Sequence, residues 1–218
     1  MSYFAFLAEH GPTLLLGTVT TIKVLVCSAI LYVIISMIFG LMRLSKNPAI
    51  QGIATIYIEF FRGTSLLVQL FWVYYVLPFF GLSLEAFVAG VVALGMNFGA
   101  YGAEIVRAGI LAVPKGQIEA ANAVGLKRTH ALRHIILPQA FRVILPPTGN
   151  QYLNLTKNTS LAIAVGYSDI VQVGTTVFNQ TGKTLPVVGI WMLFYLSCSL
   201  TISVIVNWFN VRMQLVER

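Results

Sequence analysis

Long apolar stretches alternate with shorter polar ones along this chain. Five stretches stand out, at residues 22–42, 65–80, 86–110, 141–165 and 187–209. A helix needs about 20 residues to cross the hydrocarbon of a bilayer. The pattern therefore predicts an all-α polytopic membrane protein with five transmembrane helices, forming one transmembrane domain over 1–218. Residues 1–20 are less apolar, interrupted by Glu9, His10, Gly11 and Pro12, and are expected to lie along the membrane surface. Residues 47–62 read as an inner connection with an interfacial helix, in which Glu59 and Arg62 are spaced to pair on one face. Residues 78–84 form a short outer loop without Lys or Arg. Residues 168–185 form a second outer loop, in which Ser168 and Asp169 can cap a short surface helix.

Between the third and fourth stretches lies a polar, basic segment, 111–140, which cannot sit in hydrocarbon. Glu119 to Ala123 are strong helix formers. Gly125 can take positive φ, so one short helix can end there and another start at a new angle. Pro138 is expected to mark the entry to the next span.

Polar residues inside the apolar stretches are the candidate chemistry. Lys23 sits at the outer end of the first span, where it can snorkel or act as an intramembrane cation. Gln69 in the second span suits bundle packing or substrate contact. In the third, Gly95, Gly99 and Ala103 recur every four residues, a seam of small side chains that lets helices approach closely. Asn97 and Tyr101 share that stretch, and Glu104 can pair with Arg107. The fourth stretch holds Pro146 and Pro147, which can kink a helix and free carbonyls, followed by Asn150, Gln151, Asn154, Lys157 and Asn158. Asn150, Asn154 and Lys157, at i, i+4 and i+7, share a helix face. Asn150 lies about 12 Å deep from an entry near Arg142 at about 1.5 Å per residue. Polar groups at such depth must face protein or water. Two readings stand: interhelical hydrogen bonding, or a polar wall of a substrate pathway.

Composition narrows the class further. Of 218 residues, 57% are hydrophobic and only 10% charged, against roughly 25% charged in soluble domains. The net charge of +7 is topological in such a chain and does not point to nucleic acid. Arg43, Lys46, Lys115, Lys127, Arg128, Arg133, Arg142, Arg212 and Arg218 fall on one side of the five-span arrangement. Lys183, with Lys23 at a span edge, falls on the other. The positive-inside rule then places the N-terminus outside and the 111–140 loop and C-terminus in the cytoplasm. Residues 1–20 have no basic n-region, which argues against a cleaved signal peptide. Cys27 and Cys198 lie within apolar stretches and suit packing. His130 and His134 have metal-ligand spacing but no third ligand nearby, so no metal site is expected.

Glu119-Ala120-Ala121, three residues, Gly125, nine residues, Ile135, one residue, Leu137-Pro138 resembles the EAA loop of ABC importer permeases. Residues 59–64, Gly99 to Tyr101, Glu104 to Gly109, 113–117, 139–161, Gly17 and Thr21 are similar to the polar amino-acid branch, although Ser65 stands where that branch more often has Pro. The resemblance covers nearly the whole chain and implies the type I ABC importer permease fold in a bacterial plasma (inner) membrane. It implies that Glu119, Ala120, Ala121, Gly125, Ile135, Leu137 and Pro138 couple to an ATPase. It also implies a second permease subunit, identical or related, two ATP-binding subunits that bind ATP and Mg, and an extracytoplasmic solute-binding protein. The cargo would be a polar amino acid or a related compatible solute. On this reading Asn97, Tyr101, Asn150, Gln151, Asn154 and Lys157 line the substrate pathway. The chain lacks the G-x-x-x-x-G-K-[ST] phosphate loop, so no cofactor is expected on it and it is not expected to be an enzyme. A stand-alone secondary transporter is the alternative, but no inverted repeat is visible in support of it.

Overall fold

The computed structural model describes residues 3–214 and is helical nearly throughout. In order, the helices are α1 (Tyr3–Met42), α2 (Pro48–Gly63), α3 (Leu66–Phe71), α4 (Ala86–Leu111), α5 (Lys115–Ala123), α6 (Arg128–Ala131), α7 (Leu137–Asn158), α8 (Ile170–Thr181) and α9 (Thr184–Gln214). Among the described residues, α1, α4 and α9 are each long and apolar enough to cross a membrane. Two bent pairs, α2 with α3 at 105° and α7 with α8 at 56°, raise the possible number of spans to five. Arg218, assigned above to the cytoplasmic side, lies outside the described residues.

The first apolar stretch is longer than its pattern suggested. Helix α1 runs unbroken from Tyr3, with Pro12 inside it, so the segment expected to lie along the surface is helical and continuous with the first apolar stretch. Proline removes one backbone donor, but the buried Phe6 packs with Val177 and Val187 and holds that first portion against α8 and α9. The second stretch is less regular than expected. Helix α3 lasts six residues, then gives way to a π turn (Trp72–Val76) and a 3-10 turn (Leu77–Phe80). Asn47 caps α2 by accepting from the Ala49 amide, with Pro48 in the first turn, where proline's missing N–H costs nothing.

The densest packing is between α1 and α4, along the seam of small residues. A Cβ at Gly95 would lie 2.6 Å from Leu31, one at Gly99 2.4 Å from Ile35, and one at Gly40 2.8 Å from Val106. Ala103 is fully buried. Glycine at these positions is what lets the two backbones come together. Tyr57 links α2 to the same core: its hydroxyl donates to the Met96 carbonyl at 2.6 Å, and its ring stacks on Phe39.

On the far side of the bundle, Thr20 and Thr21 of α1 tie down the start of α8. Thr21 Oγ1 accepts from the Ile170 amide, and Thr20 Oγ1 donates to the Ser168 carbonyl. Gly17 leaves room for that chain, since a Cβ there would sit 3.0 Å from Ile170 Cα. Asp169 caps α8 as its sequence position suggested, accepting from the Gln172 amide at 2.8 Å. Burial pushes its carboxyl up to about 6 despite that hydrogen bond.

Candidate translocation groove and coupling surface

The polar segment at 111–140 forms two helices meeting at a glycine turn. Helix α5 ends at Ala123, and Gly125 takes φ +72°. The Leu126 amide then bonds back to the Ala121 carbonyl at 3.0 Å. Nothing lies within 4 Å of a Cβ built on Gly125, so the left-handed backbone alone, not crowding, calls for glycine there. Glu119 and Ala120 are exposed and Ala121 is buried. Helix α6 restarts at Arg128 and passes through a π turn (Leu132–Ile136) straight into α7.

Pro138 thus stands at the start of α7, where the next span was expected to begin, although the helix reaches it without a break. It sits in the first turn of α7, directly after the π turn. A π turn shifts the hydrogen-bond partner by one residue, and Leu137 bonds to Leu132. The helix thereby absorbs the donor that proline lacks. Helix α7 likewise continues through Pro146 and Pro147. The span expected over 141–165 is thus the upper part of one helix that runs from Thr129 to Val165.

Two connected chambers lie between the α2–α3 bend, α4 and α7. The first, of about 410 Å³, is lined by Thr64, Asn97, Tyr101, Gln151, Asn154 and Asn158, with apolar contributions from Leu66 and Phe98. The second, of about 570 Å³, lies nearer the Leu111 end of α4 and is lined by Arg62, Tyr101, Glu104 and Gln151 among apolar neighbours. Tyr101 and Gln151 border both. Four of the six residues expected in the pathway, Asn97, Tyr101, Gln151 and Asn154, therefore meet in one groove. Asn150 and Lys157 do not line it and are exposed on the outer face of α7. Of the face drawn through positions 150, 154 and 157 only Asn154 lines the groove, together with Gln151 and Asn158 of the strip beside it.

Asn97 is the most constrained of the four. It is 5% exposed, and its Nδ2 donates to the Phe61 carbonyl and to Gln69 Oε1. Gln69 Nε2 donates in turn to Thr64 Oγ1 at 2.6 Å and to the Phe61 carbonyl. This network pins the sharp bend between α2 and α3, consistent with the packing role considered for Gln69.

Glu104 in the second chamber is held by two arginines from outside its lining. Arg107 Nη2 lies 2.8 Å from Glu104 Oε2, the pairing suggested by their spacing, and Arg43 Nε approaches Glu104 Oε1 at 3.7 Å. The Glu59–Arg62 pair does not form. The Arg62 guanidinium lies over the Tyr101 ring instead, 5.4 Å from its centroid, because the bend after Gly63 turns α4 rather than the α2 surface toward it. His130 and His134 stack on each other at 4.0 Å. No group of three metal-ligating side chains occurs among the described residues. Sequence reasoning missed Thr64 and Asn158 as groove residues, and Arg62 as the cation over Tyr101. Their placement depends on the bend and on which residues of α7 turn inward.

A multi-pass all-α bundle with a polar groove beside a structured polar loop defines a membrane permease subunit. Residues 32–214 match the family described as "Binding-protein-dependent transport system inner membrane component", and the chain belongs to that family. The general L-amino acid transport system permease protein AapQ of Rhizobium johnstonii is 52% identical over 132 residues, 61% of this chain. The L-cystine transport system permease protein TcyB of Bacillus subtilis is 44% identical over 151 residues, 69% of this chain. The chain spans 33% and 64% of the length of these two relatives. A solved structure titled as an amino acid ABC transporter with histidines superposes with a TM-score of 0.88 at 34% identity. That match covers 97% of this chain and 99% of the other. The protein is accordingly a multi-pass inner-membrane component.

Proposed function

We propose that this chain is the transmembrane subunit of an ATP-driven ABC importer for polar amino acids or related compatible solutes. A solute-binding protein delivers the cargo. A second permease subunit, identical or related, completes the pathway, and two ATP-binding subunits dock on the 111–140 loop. The observation that carries this reading is the course of one helix. The segment Thr129–Val165 begins beside the Gly125 turn and later contributes Gln151, Asn154 and Asn158 to the groove. Movement of the docked loop would thereby reach the groove wall along one continuous helical course. Glu119, Ala120, Ala121, Gly125, Ile135, Leu137 and Pro138 form the coupling surface on this reading. The names of the amino-acid permeases it resembles support the same cargo class.

The chemistry of the groove narrows that class. A dehydrated zwitterion needs replacement partners for its carboxylate and its ammonium. Amides and hydroxyls supply both. The first chamber has no carboxylate in its lining, and Glu104 in the second is already held by Arg107 and Arg43. A second positive charge on the cargo finds no open counter-ion in this lining, whereas Arg62 offers one to a carboxylate, so neutral or acidic polar amino acids, rather than basic ones, are the expected cargo. The test is ATP-dependent uptake in proteoliposomes holding the assembled complex and its binding protein. Glutamine or glutamate uptake that stops without ATP supports the reading. Uptake driven by an ion gradient without an ATPase overturns it.

A further inference from the structure

A second cleft lies away from the groove, between the start of α7 and the end of α9. It has a volume of about 690 Å³, and Arg133, Arg142 and Arg212 form its polar side. Phe141, Trp208 and Phe209, with Leu137 and Pro138 of the proposed coupling surface, form its apolar side. The Arg212 guanidinium lies over the Trp208 ring, 5.1 Å from its centroid. Phe141, Trp208 and Phe209 are 49%, 53% and 42% exposed, and Leu196, Leu200 and Val204 continue the exposed apolar surface along α9.

We propose that this cleft binds the phosphate headgroup of an anionic membrane phospholipid, with its acyl chains laid along α9. The argument combines charge, depth and shape. Arg133 and Arg212 line the cleft where α9 ends, and guanidinium is the side chain best matched to bidentate contact with phosphate. Aromatic rings next to them are what a helix places at headgroup level. Basic pockets between transmembrane helices on the cytoplasmic side suit phospholipid headgroups. Free phosphate would satisfy the arginines alone. The aromatic wall, continuous with the hydrocarbon-facing side of α9, favours the lipid. A soluble acidic partner would leave that wall uncovered.

Native mass spectrometry of the full chain in detergent tests this with added phosphatidylglycerol, phosphatidylcholine and inorganic phosphate as probes. The wild-type chain is expected to retain phosphatidylglycerol in preference to phosphatidylcholine, and inorganic phosphate in millimolar excess is expected not to displace it. The double variant Arg133→Ala/Arg212→Ala is expected to weaken retention roughly thirty-fold, from the loss of two cationic contacts. Should that variant fold poorly, the wild-type chain is crosslinked to a photoreactive phosphatidylglycerol, and adducts are expected to concentrate on the peptides holding Phe141 and Trp208. Equal retention of both lipids, displacement by inorganic phosphate, or adducts spread evenly along α9 would each overturn the proposal. So would a double variant that loses a co-purifying ATPase while keeping its lipid, since that result gives the cleft to the ATPase.

Discussion

Asn97 Nδ2 donates to Gln69 Oε1 at 3.1 Å inside the bundle, and neither residue is more than 6% exposed. Through Gln69 the contact reaches Thr64 and Phe61, so it holds the 105° bend that shapes one wall of the groove. Asn97→Leu leaves Gln69 Oε1 without this donor inside the bundle. The expected loss of stability is about 1–3 kcal/mol, read as a lower melting temperature of the detergent-purified chain. An unchanged melting temperature with altered cargo preference would show that Asn97 serves the cargo rather than the bend.

The helix seam gives a sharper contrast. Gly99→Leu drives a side chain into Ile35, 2.4 Å from where the new Cβ would sit, and overpacking of this kind costs typically about 1–3 kcal/mol or more. Gly52→Ala in α2 meets nothing within 4 Å, and alanine there should stabilise the helix by about 1 kcal/mol. Size-exclusion profiles of the two variants are expected to diverge, with aggregation or loss of the peak for the first only.

Gly125→Val forces a β-branched residue into φ +72°, at a backbone cost of roughly 1–2 kcal/mol. Insertion is expected to remain normal, because no neighbour is displaced. Transport and the stimulation of ATP hydrolysis by the binding protein are expected to fall, whereas Gly125→Asn, which tolerates that backbone, retains most of both. Full stimulation in the valine variant would refute a coupling role for the turn.

The groove separates two asparagines that the sequence pattern had grouped together. Asn154 lines the first chamber and Asn150 does not. Asn154→Ala is expected to weaken cargo affinity about five- to thirty-fold, from the loss of a polar contact worth about 1–2 kcal/mol in a membrane. Asn150→Ala is expected to leave the groove of this chain unaffected. Equal effects in a transport assay with intact basal hydrolysis would show that the outer face of α7 also meets the cargo.

Asp169 gives a pH-dependent prediction outside the segments read as spans. Its folded carboxyl, pushed up to about 6 by burial, lies above the usual value of about 3.9 for an unfolded chain. The native state therefore holds the proton more tightly. This contribution to stability is present in acid and is lost as pH rises from about 4 through about 6. Asn caps helices as well as Asp, so Asp169→Asn is expected to raise the melting temperature at pH 8 and leave it nearly unchanged at pH 4. A variant destabilised at pH 8 would mean that the charge has a partner worth more than its burial costs.

Much of this arrangement was legible in the residues. The seam at Gly95, Gly99 and Ala103, the positive φ at Gly125, the cap at Asp169 and the Glu104–Arg107 pair all follow from local spacing. Local rules determine them, so one sequence suffices. The misreadings arose where tertiary contact overrode local pattern. Gly11 and Pro12 look like helix breakers, but α1 runs through them, its first portion held by the packing of Phe6. Pro138 stands at the start of α7, as its position suggested, but the π turn before it lets the helix arrive without a break. The groove-lining residues of α7 could not be chosen from periodicity, since two polar strips lie side by side. Only the position of α4 decides that Gln151, Asn154 and Asn158 line the groove while Asn150 and Lys157 do not.

The unbroken passage from the polar loop into α7 also sets a moment arm. Arg128 and Asn154 lie along one continuous helical course, with the π turn Leu132–Ile136 and Pro146-Pro147 between them, separated by roughly 39 Å at about 1.5 Å per residue. If the loop end were held fixed, a tilt of about 10° would sweep Asn154 sideways by about 7 Å on that rise, close to the length of a small amino acid. On the proposed function, modest rotation would be enough to uncover or occlude a cargo, and lengthening or softening this helical course would change the stroke without touching either end.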